Sequence, residues 1–440
     1  MKKDTLRMTA GNSRTIARNF SWLMTAQLVY KLLSLAGIAY MARIMGQAGF
    51  GQLSLGLSVG LLFLGFADMG QSEFFIRSVA GDPRSEEEMA GLVLGLKIVL
   101  GVILTGMAAG AAFFLGSSRG VRVAVMALCC AGIIDSFTLF LRSVFRAREK
   151  MHYEALMLIV EGALKLFLII AAAYFFKGAV SAMGGAFLLA SIIIVVLTVA
   201  VGQRNDAIAM PRLEVGRSIA FIRGGIPFAI VGILCVVNVK VDIIMLSKLA
   251  GDTVTGSYSA AGRLIESLWI IPATMAVAVF PALARLKSSG GAFTSAYYKL
   301  LFVSCGIGAA IGVACWGFSG LIVTAVFGTK FIDAVAIFRI FALMFVPVFV
   351  KLYLERVALV LHHARLLCGV YAGGLLLKIA LNYLVMPGFG ARGVAIATLA
   401  TEIAMTAYLM VIIGRQVNRS VEAGIVAAGS GSGQLAWYGE

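Results

Sequence analysis

The chain has 440 residues, 60% of them hydrophobic and only 13% charged, with a formal net charge of +16. Soluble domains run at about 45–50% apolar and about 25% charged, and a helix crosses a bilayer with about 20 mostly apolar residues. The composition therefore describes a polytopic membrane protein and excludes a large soluble catalytic domain; seven prolines and the lack of low-complexity tracts exclude a disordered or fibrous chain.

Taken in order, the chain begins with a basic stretch (Lys2, Lys3, Arg7, Arg14, Arg18) and an apolar run longer than a signal-peptide core that continues into more membrane sequence. It reads as an uncleaved first helix. Twelve apolar runs follow hydropathy at 18–42, 50–68, 89–115, 121–144, 155–176, 180–202, 219–247, 255–282, 299–326, 334–360, 366–386 and 391–414. Each is too long for a tilted strand and none alternates apolar with polar, so the fold class is all-α, with twelve transmembrane helices. The expected organisation is a cytoplasmic segment 1–17, a six-helix lobe over 18–202, a cytoplasmic linker at 203–218 around Pro211, a second six-helix lobe over 219–414, and a cytoplasmic tail 415–440 that is rich in Gly and Ser from Gly424.

Orientation follows from the basic residues. The N-terminus, the even-numbered connections and the tail hold 22 Lys and Arg, whereas the opposite connections hold 6: Arg119, Arg122, Lys177, Lys248, Lys330 and Arg392. The positive-inside bias places both termini in the cytoplasm. Most of the net charge is thereby topological, and no nucleic-acid partner is expected.

The chain also repeats. Ala42-Arg43-Ile44-Met45-Gly46-Gln47 through Gly51-Gln52-Leu53-Ser54 aligns without a gap on Ser247-Lys248-Leu249-Ala250-Gly251-Asp252 through Gly256-Ser257-Tyr258-Ser259, at an offset of 205 residues. Leu164-Lys165 is echoed by Leu377-Lys378, and Gly184 by Gly393. Both copies begin with a helix of the same orientation, so the halves are parallel repeats about an axis along the membrane normal, with a central cavity between two lobes.

Enzyme signatures are missing. Gly never precedes Lys, which removes the phosphate-cradling P-loop, and there is no Gly-x-Ser-x-Gly elbow or His-Glu-x-x-His helix. The six cysteines fall inside apolar runs as small hydrophobes, and His152, His362 and His363 sit at polar boundaries without ligand spacing, so no metal or cofactor is expected. Any driving force is a proton or sodium gradient, or the gradient of the substrate itself. Gly56-x-x-x-Gly60 and Gly106-x-x-x-Gly110 read as close-packing helix faces.

The informative residues are ionisable groups inside the spans, which are costly unless paired or wet. Glu161 with Lys165 and Lys351 with Glu355 are pairs at i,i+4, and Arg263 with Glu266 is a pair at i,i+3. Lys31, Lys97, Lys240 and Lys378 have no acid three or four residues away. Stranded cations of this kind suit a water-filled cavity whose guest is anionic, phosphate or pyrophosphate being the natural choice. Asp135, Asp242 and Glu402 could instead pair with them across helices, or act as proton or cation sites.

Ala42-Arg43-Ile44-Met45-Gly46 with Phe50-Gly51, then Ala67-Asp68-Met69-Gly70 and Arg77, resembles the opening signature of Wzx-type polysaccharide-biosynthesis flippases of the multidrug/oligosaccharidyl-lipid/polysaccharide exporter superfamily. Val241-Asp242, Gly256-Ser257-Tyr258-Ser259, Arg263-Leu264-Ile265-Glu266 and Gly390-Ala391-Arg392-Gly393 resemble the second half of that pattern. The resemblance implies two lobes, alternating access, and transfer of an undecaprenyl-pyrophosphate-linked oligosaccharide from the cytoplasmic to the outer leaflet of a bacterial inner membrane, with membrane lipids, a polymerase and a chain-length regulator as partners. The candidate substrate-binding residues are Lys31, Arg43, Lys97, Lys165, Lys240, Arg263 and Lys378. Candidates for coupling or gating are Asp68, Arg77, Asp135, Asp242, Glu266 and Glu402. The rival expectations are a multidrug antiporter, which calls for a carboxylate-rich cavity, a lipid II flippase, and a non-transporting scaffold of a glycan-assembly complex.

Overall fold

The computed structural model describes residues 2–205, 209–286, 290–361 and 363–429. Expectations for Met1, the middle of the linker, Lys287, His362 and the end of the tail lie outside the described residues, as do those for the basic side chains before Ser21. Among the described residues the chain is helical and has no strand. The first half comprises α1 (Lys2–Asp68), α2 (Gln71–Gly81), α3 (Glu86–Leu115), α4 (Arg119–Ala147), α5 (Met151–Phe176) and α6 (Val180–Arg204). The second comprises α7 (Val215–Leu249), α8 (Asp252–Leu268), α9 (Ile270–Leu286), α10 (Gly290–Gly317), α11 (Ser319–Phe327), α12 (Ala334–Ala342), α13 (Phe345–Val360) and α14 (Ala364–Gly429).

Eight of these stretches are long and apolar enough to cross a membrane, and the bent pair α12–α13 makes a ninth. Two are double-length. α1 turns back at Gly46 (φ 69°) and α14 at Gly390 (φ 53°), left-handed conformations that glycine adopts at little cost. With α8–α9, which breaks at Trp269, these make twelve crossings in two six-helix lobes. The basic segment before the first span is helical and continuous with α1, which begins at Lys2.

The first arm of α1 packs on α5, where Gly162 meets Tyr30 and Leu33, and its second arm on α4. There the backbones touch: a Cβ on Gly60 would overlap the Leu128 carbonyl oxygen, and one on Gly132 the Gly60 carbonyl oxygen. Dense small-residue contact of this sort is what holds helices together where lipid removes the hydrophobic drive. Gly56 behaves likewise against Leu128, but Gly106 and Gly110 face no atom within 4 Å, so the second glycine motif is not a packing face here. Val102, Phe114, Phe167, Phe302 and Leu384 are large apolar side chains left exposed on the outside, as a lipid-facing surface requires. The linker is strapped to α3: the Arg212 amide donates to the Gly91 carbonyl at 2.9 Å, and Gly91 and Gly95 leave the groove in which it lies.

Candidate functional site

A cavity of about 370 Å³ lies where α1, α4 and α5 face α7 and α8. Its polar wall is Tyr30, Asp135, Arg142, Glu161 and Lys165 from the first lobe, met by Lys240 and Arg263 from the second. The helical repeat places Glu161 and Lys165 one turn apart on α5, which turns both towards α4. Lys165 Nζ lies 2.7 Å from Glu161 and 3.2 Å from Asp135, Arg142 pairs with Glu161, and the Tyr30 hydroxyl donates to Glu161 at 3.4 Å. Across the cavity Lys240 pairs with Glu266, whose other oxygen takes Arg263 at 3.3 Å. Lys31 on α1 is within electrostatic reach of Glu266, Arg263 and Lys240 and has no carboxylate at salt-bridge distance among the described residues.

The expectation of stranded lysines is therefore corrected in most cases. Lys97, almost wholly buried, is 3.1 Å from Asp68. Lys240 is held by Glu266, and Lys378 lies 3.3 Å from Asp242. These acids come from other helices, 26 to 136 positions away in the chain. The physical reason is cost: a lone charged side chain at the centre of a membrane helix is unfavourable by about 2.5–3.5 kcal/mol on insertion scales, and a carboxylate from a neighbouring helix offsets part of that. The pairs expected for Glu161–Lys165 and Arg263–Glu266 form. Lys351 instead pairs with Glu402 at 2.6 Å, and Glu355 accepts from the Tyr371 hydroxyl at 2.6 Å.

Pairing does not neutralise the cavity. Its lining holds four cations (Arg142, Lys165, Lys240, Arg263) and two carboxylates (Asp135, Glu161), an excess of two positive charges; Glu266 and Lys31 lie just outside the lining and add one charge of each sign. Arg142 was counted from sequence as a loop cation, yet it lies inside α4 near its end; its position within the run 121–144 was the available signal. Lys97 and Asp68 pair at the junction of α1 and α3, Lys378 and Asp242 inside the second lobe, and Lys351 and Glu402 there as well, so none of these six lines the large cavity. Asp242, 2% exposed, is saturated with donors: Tyr258 (2.8 Å), Asn382 (2.7 Å), Thr398 (3.0 Å) and Lys378. Arg77 is exposed on α2. Among the described residues no cluster of His, Cys, Asp and Glu could hold a metal ion.

Arg43 is not in the cavity but at the end of the molecule where the two lobes close on one another. It donates through Nε to the Val326 carbonyl at 2.9 Å and through Nη2 to the Ala325 carbonyl. Gly51 and Gly256 lie so close to the opposite lobe that a Cβ on either would overlap the carbonyl oxygen of Asp252 or Gln47. Gln52 donates to Asp252 at 2.9 Å, and Phe50 rests edge-on against Phe331, ring centres 5.9 Å apart. At the far end the lobes touch where α2 and α3 meet α7, with Phe74 of α2 on Phe221 and Glu88 of α3 paired with Arg217.

Comparison with known proteins agrees with this geometry. An inward-facing multidrug resistance MATE family transporter of the MOP superfamily superposes with a TM-score of 0.71 at 15% identity, over 91% of this chain and 99% of the other. The lipid II flippase MurJ in an inward closed conformation gives 0.71 at 15% identity, over 91% and 90%. A MOP superfamily transporter from Pyrococcus furiosus, described as having a binding pocket of reversed polarity, gives 0.66 at 13% identity, over 91% and 96%. At these identities the likeness is one of fold. No curated protein matches in sequence. The family of polysaccharide biosynthesis proteins matches residues 16–287, more than half of the chain. A multi-pass helical protein with the fold of MOP-type transporters and flippases, this chain belongs to the polysaccharide biosynthesis protein family.

Proposed function

We propose that the protein carries a polyprenyl-pyrophosphate-linked oligosaccharide from the cytoplasmic to the outer leaflet of a bacterial inner membrane by alternating access. The observation that carries this reading is the excess of two positive charges around a cavity that both lobes share. A pyrophosphate head group brings compensating charge and strong acceptor oxygens to ammonium and guanidinium donors. Lys165, Lys240 and Arg263 line the cavity and can exchange a carboxylate oxygen for a phosphate oxygen, while Lys31, with no carboxylate at salt-bridge distance among the described residues, adds positive charge near Glu266 and Arg263. Because the lobes contribute opposite walls, the passenger binds the two states of the protein unequally, the condition for shifting the population between them.

The distribution of basic residues assigns the sealed end to the outer face and both termini to the cytoplasm. If transport is coupled to a proton or sodium gradient, Asp135 in the cavity wall and Glu266 beside it are the carboxylates this reading gives that role; Asp242 and Glu402 each hold a lysine within the second lobe. A multidrug antiporter for organic cations is less well supported, since all three carboxylates around the cavity already hold a cation. A polymerase and a chain-length regulator acting on the exported glycan are the partners that this activity would serve.

The test is translocation in proteoliposomes of a fluorescent polyprenyl-pyrophosphate glycan, with the protein as it is and as the Lys31→Gln, Arg263→Gln double variant. The expected result is a loss of transport of at least tenfold with unchanged thermal stability in detergent. Equal transport by the double variant, or equal transport of a neutral glycolipid by the native chain, overturns the reading.

A further inference from the structure

The sealed end contains the same contact twice. Arg43 and Lys248 occupy equivalent places in the two repeats, one residue type apart and 205 positions apart. Arg43 reaches the carbonyls of Ala325 and Val326, in the last turn of α11 in the opposite lobe. Lys248 reaches the carbonyls of Phe114 and Leu115, the last two residues of α3 in the opposite lobe, at 2.8 and 2.9 Å. α3 is the third span of the first half, and α10–α11 the third span of the second. Each cation therefore caps the C-terminus of the other half's third span, where carbonyls lack intrahelical donors and the helix dipole is negative.

Between the two caps lies a seam of equal symmetry. Gly51 abuts the carbonyl of Asp252, and Gly256, its repeat partner, abuts the carbonyl of Gln47, the repeat partner of Asp252. Gly46 and Gly251, again equivalent, both have positive φ (69° and 90°) and turn the chain so that the cation precedes the turn and the small residue follows it. Neither cation has a carboxylate at salt-bridge distance among the described residues, so the negative ends of the opposite lobe's carbonyl dipoles are what they bind.

We propose that Arg43 and Lys248 form a two-fold latch that holds this end of the transporter shut, each cation being released from its helix terminus when the lobes part. The latch acts by its geometry whatever the passenger is, so it stands or falls separately from the assignment of substrate. Opening costs two charge–dipole contacts at once, which makes the two cations equivalent in effect. Each exposed contact of this kind shifts an equilibrium by about 2- to 5-fold, and the two together by about 4- to 25-fold.

Spin labels at Ser117→Cys and Lys330→Cys, two exposed positions on opposite lobes at the sealed end, read the opening as an interlabel distance. The full chain, with its six native cysteines replaced by alanine, is measured in lipid nanodiscs. The expected result is one short distance for the parent, a longer component in Arg43→Gln and in Lys248→Gln of similar weight, and a larger one in the double variant. Arg43→Lys and Lys248→Arg keep the short distance. Gly51→Leu, which wedges the seam while leaving both cations in place, produces the longer component by an independent route. An unchanged short distance in the double variant, an effect from only one of the two cations, or no longer component in Gly51→Leu overturns the proposal.

Discussion

Asp242 shows what a single buried charge does in this molecule. Its carboxylate is surrounded by Tyr258, Asn382, Thr398 and Lys378, so one side chain from α7 ties down α8 and both arms of α14. Removing one member of a buried pair leaves the other uncompensated and costs about 3–5 kcal/mol. Asp242→Asn should therefore lower the melting temperature in detergent sharply, whereas Asp242→Asn with Lys378→Met should recover most of the loss, a non-additivity that a thermal-shift double-mutant cycle reads directly. At this scale sequence was a partial guide. Pairs one turn apart, Glu161–Lys165 and Arg263–Glu266, were legible because helical spacing alone brings them together. Lys97–Asp68, Lys240–Glu266 and Lys378–Asp242 were not, because which helix faces which is set by packing among spans of nearly uniform apolarity.

Among the helices, glycine decides which faces meet. Gly60 and Gly132 let the second arm of α1 and α4 approach until backbone touches backbone, while Gly106 and Gly110 on α3 look outward into open space. Gly60→Val should consequently cost several kcal/mol or abolish folding, as overpacking at a backbone contact does, and Gly106→Val should leave the yield of monodisperse protein unchanged; size-exclusion profiles of the two variants check both. The two motifs have the same spacing in sequence, so their different fates depend on the rotation of each helix about its axis. The breaks were more readable. Gly46 and Gly390 fall between apolar runs, and only glycine takes up their left-handed turns without strain. Hydropathy located the eighth and tenth spans but not the breaks inside them at Trp269 and between α12 and α13; the signal was Pro272 and Pro347, each in the first turn of the following helix and unable to donate to the carbonyl four residues back, at Leu268 and Leu343.

For the molecule as a whole, the internal repeat carried the architecture: two like halves of six spans follow from it, and the fold of MOP-type transporters agrees. The cavity also sits where the halves meet, although the sequence argument populated it with Lys97 and Lys378, which the structure buries elsewhere. The alternating access proposed above requires the sealed end to open in each cycle. A short bis-thiosulfonate bridge between Gln47→Cys and Asp333→Cys, whose native side chains lie 3.4 Å apart across the seam, should stop transport in proteoliposomes, and cleavage of the bridge by reductant should restore it. The seam has one more consequence. Where Gly51 and Gly256 press against carbonyl oxygens there is no volume for a file of water molecules. A resting carrier closed in this way offers ions and protons no wire, so thousands of idle copies could sit in an energised membrane without discharging it.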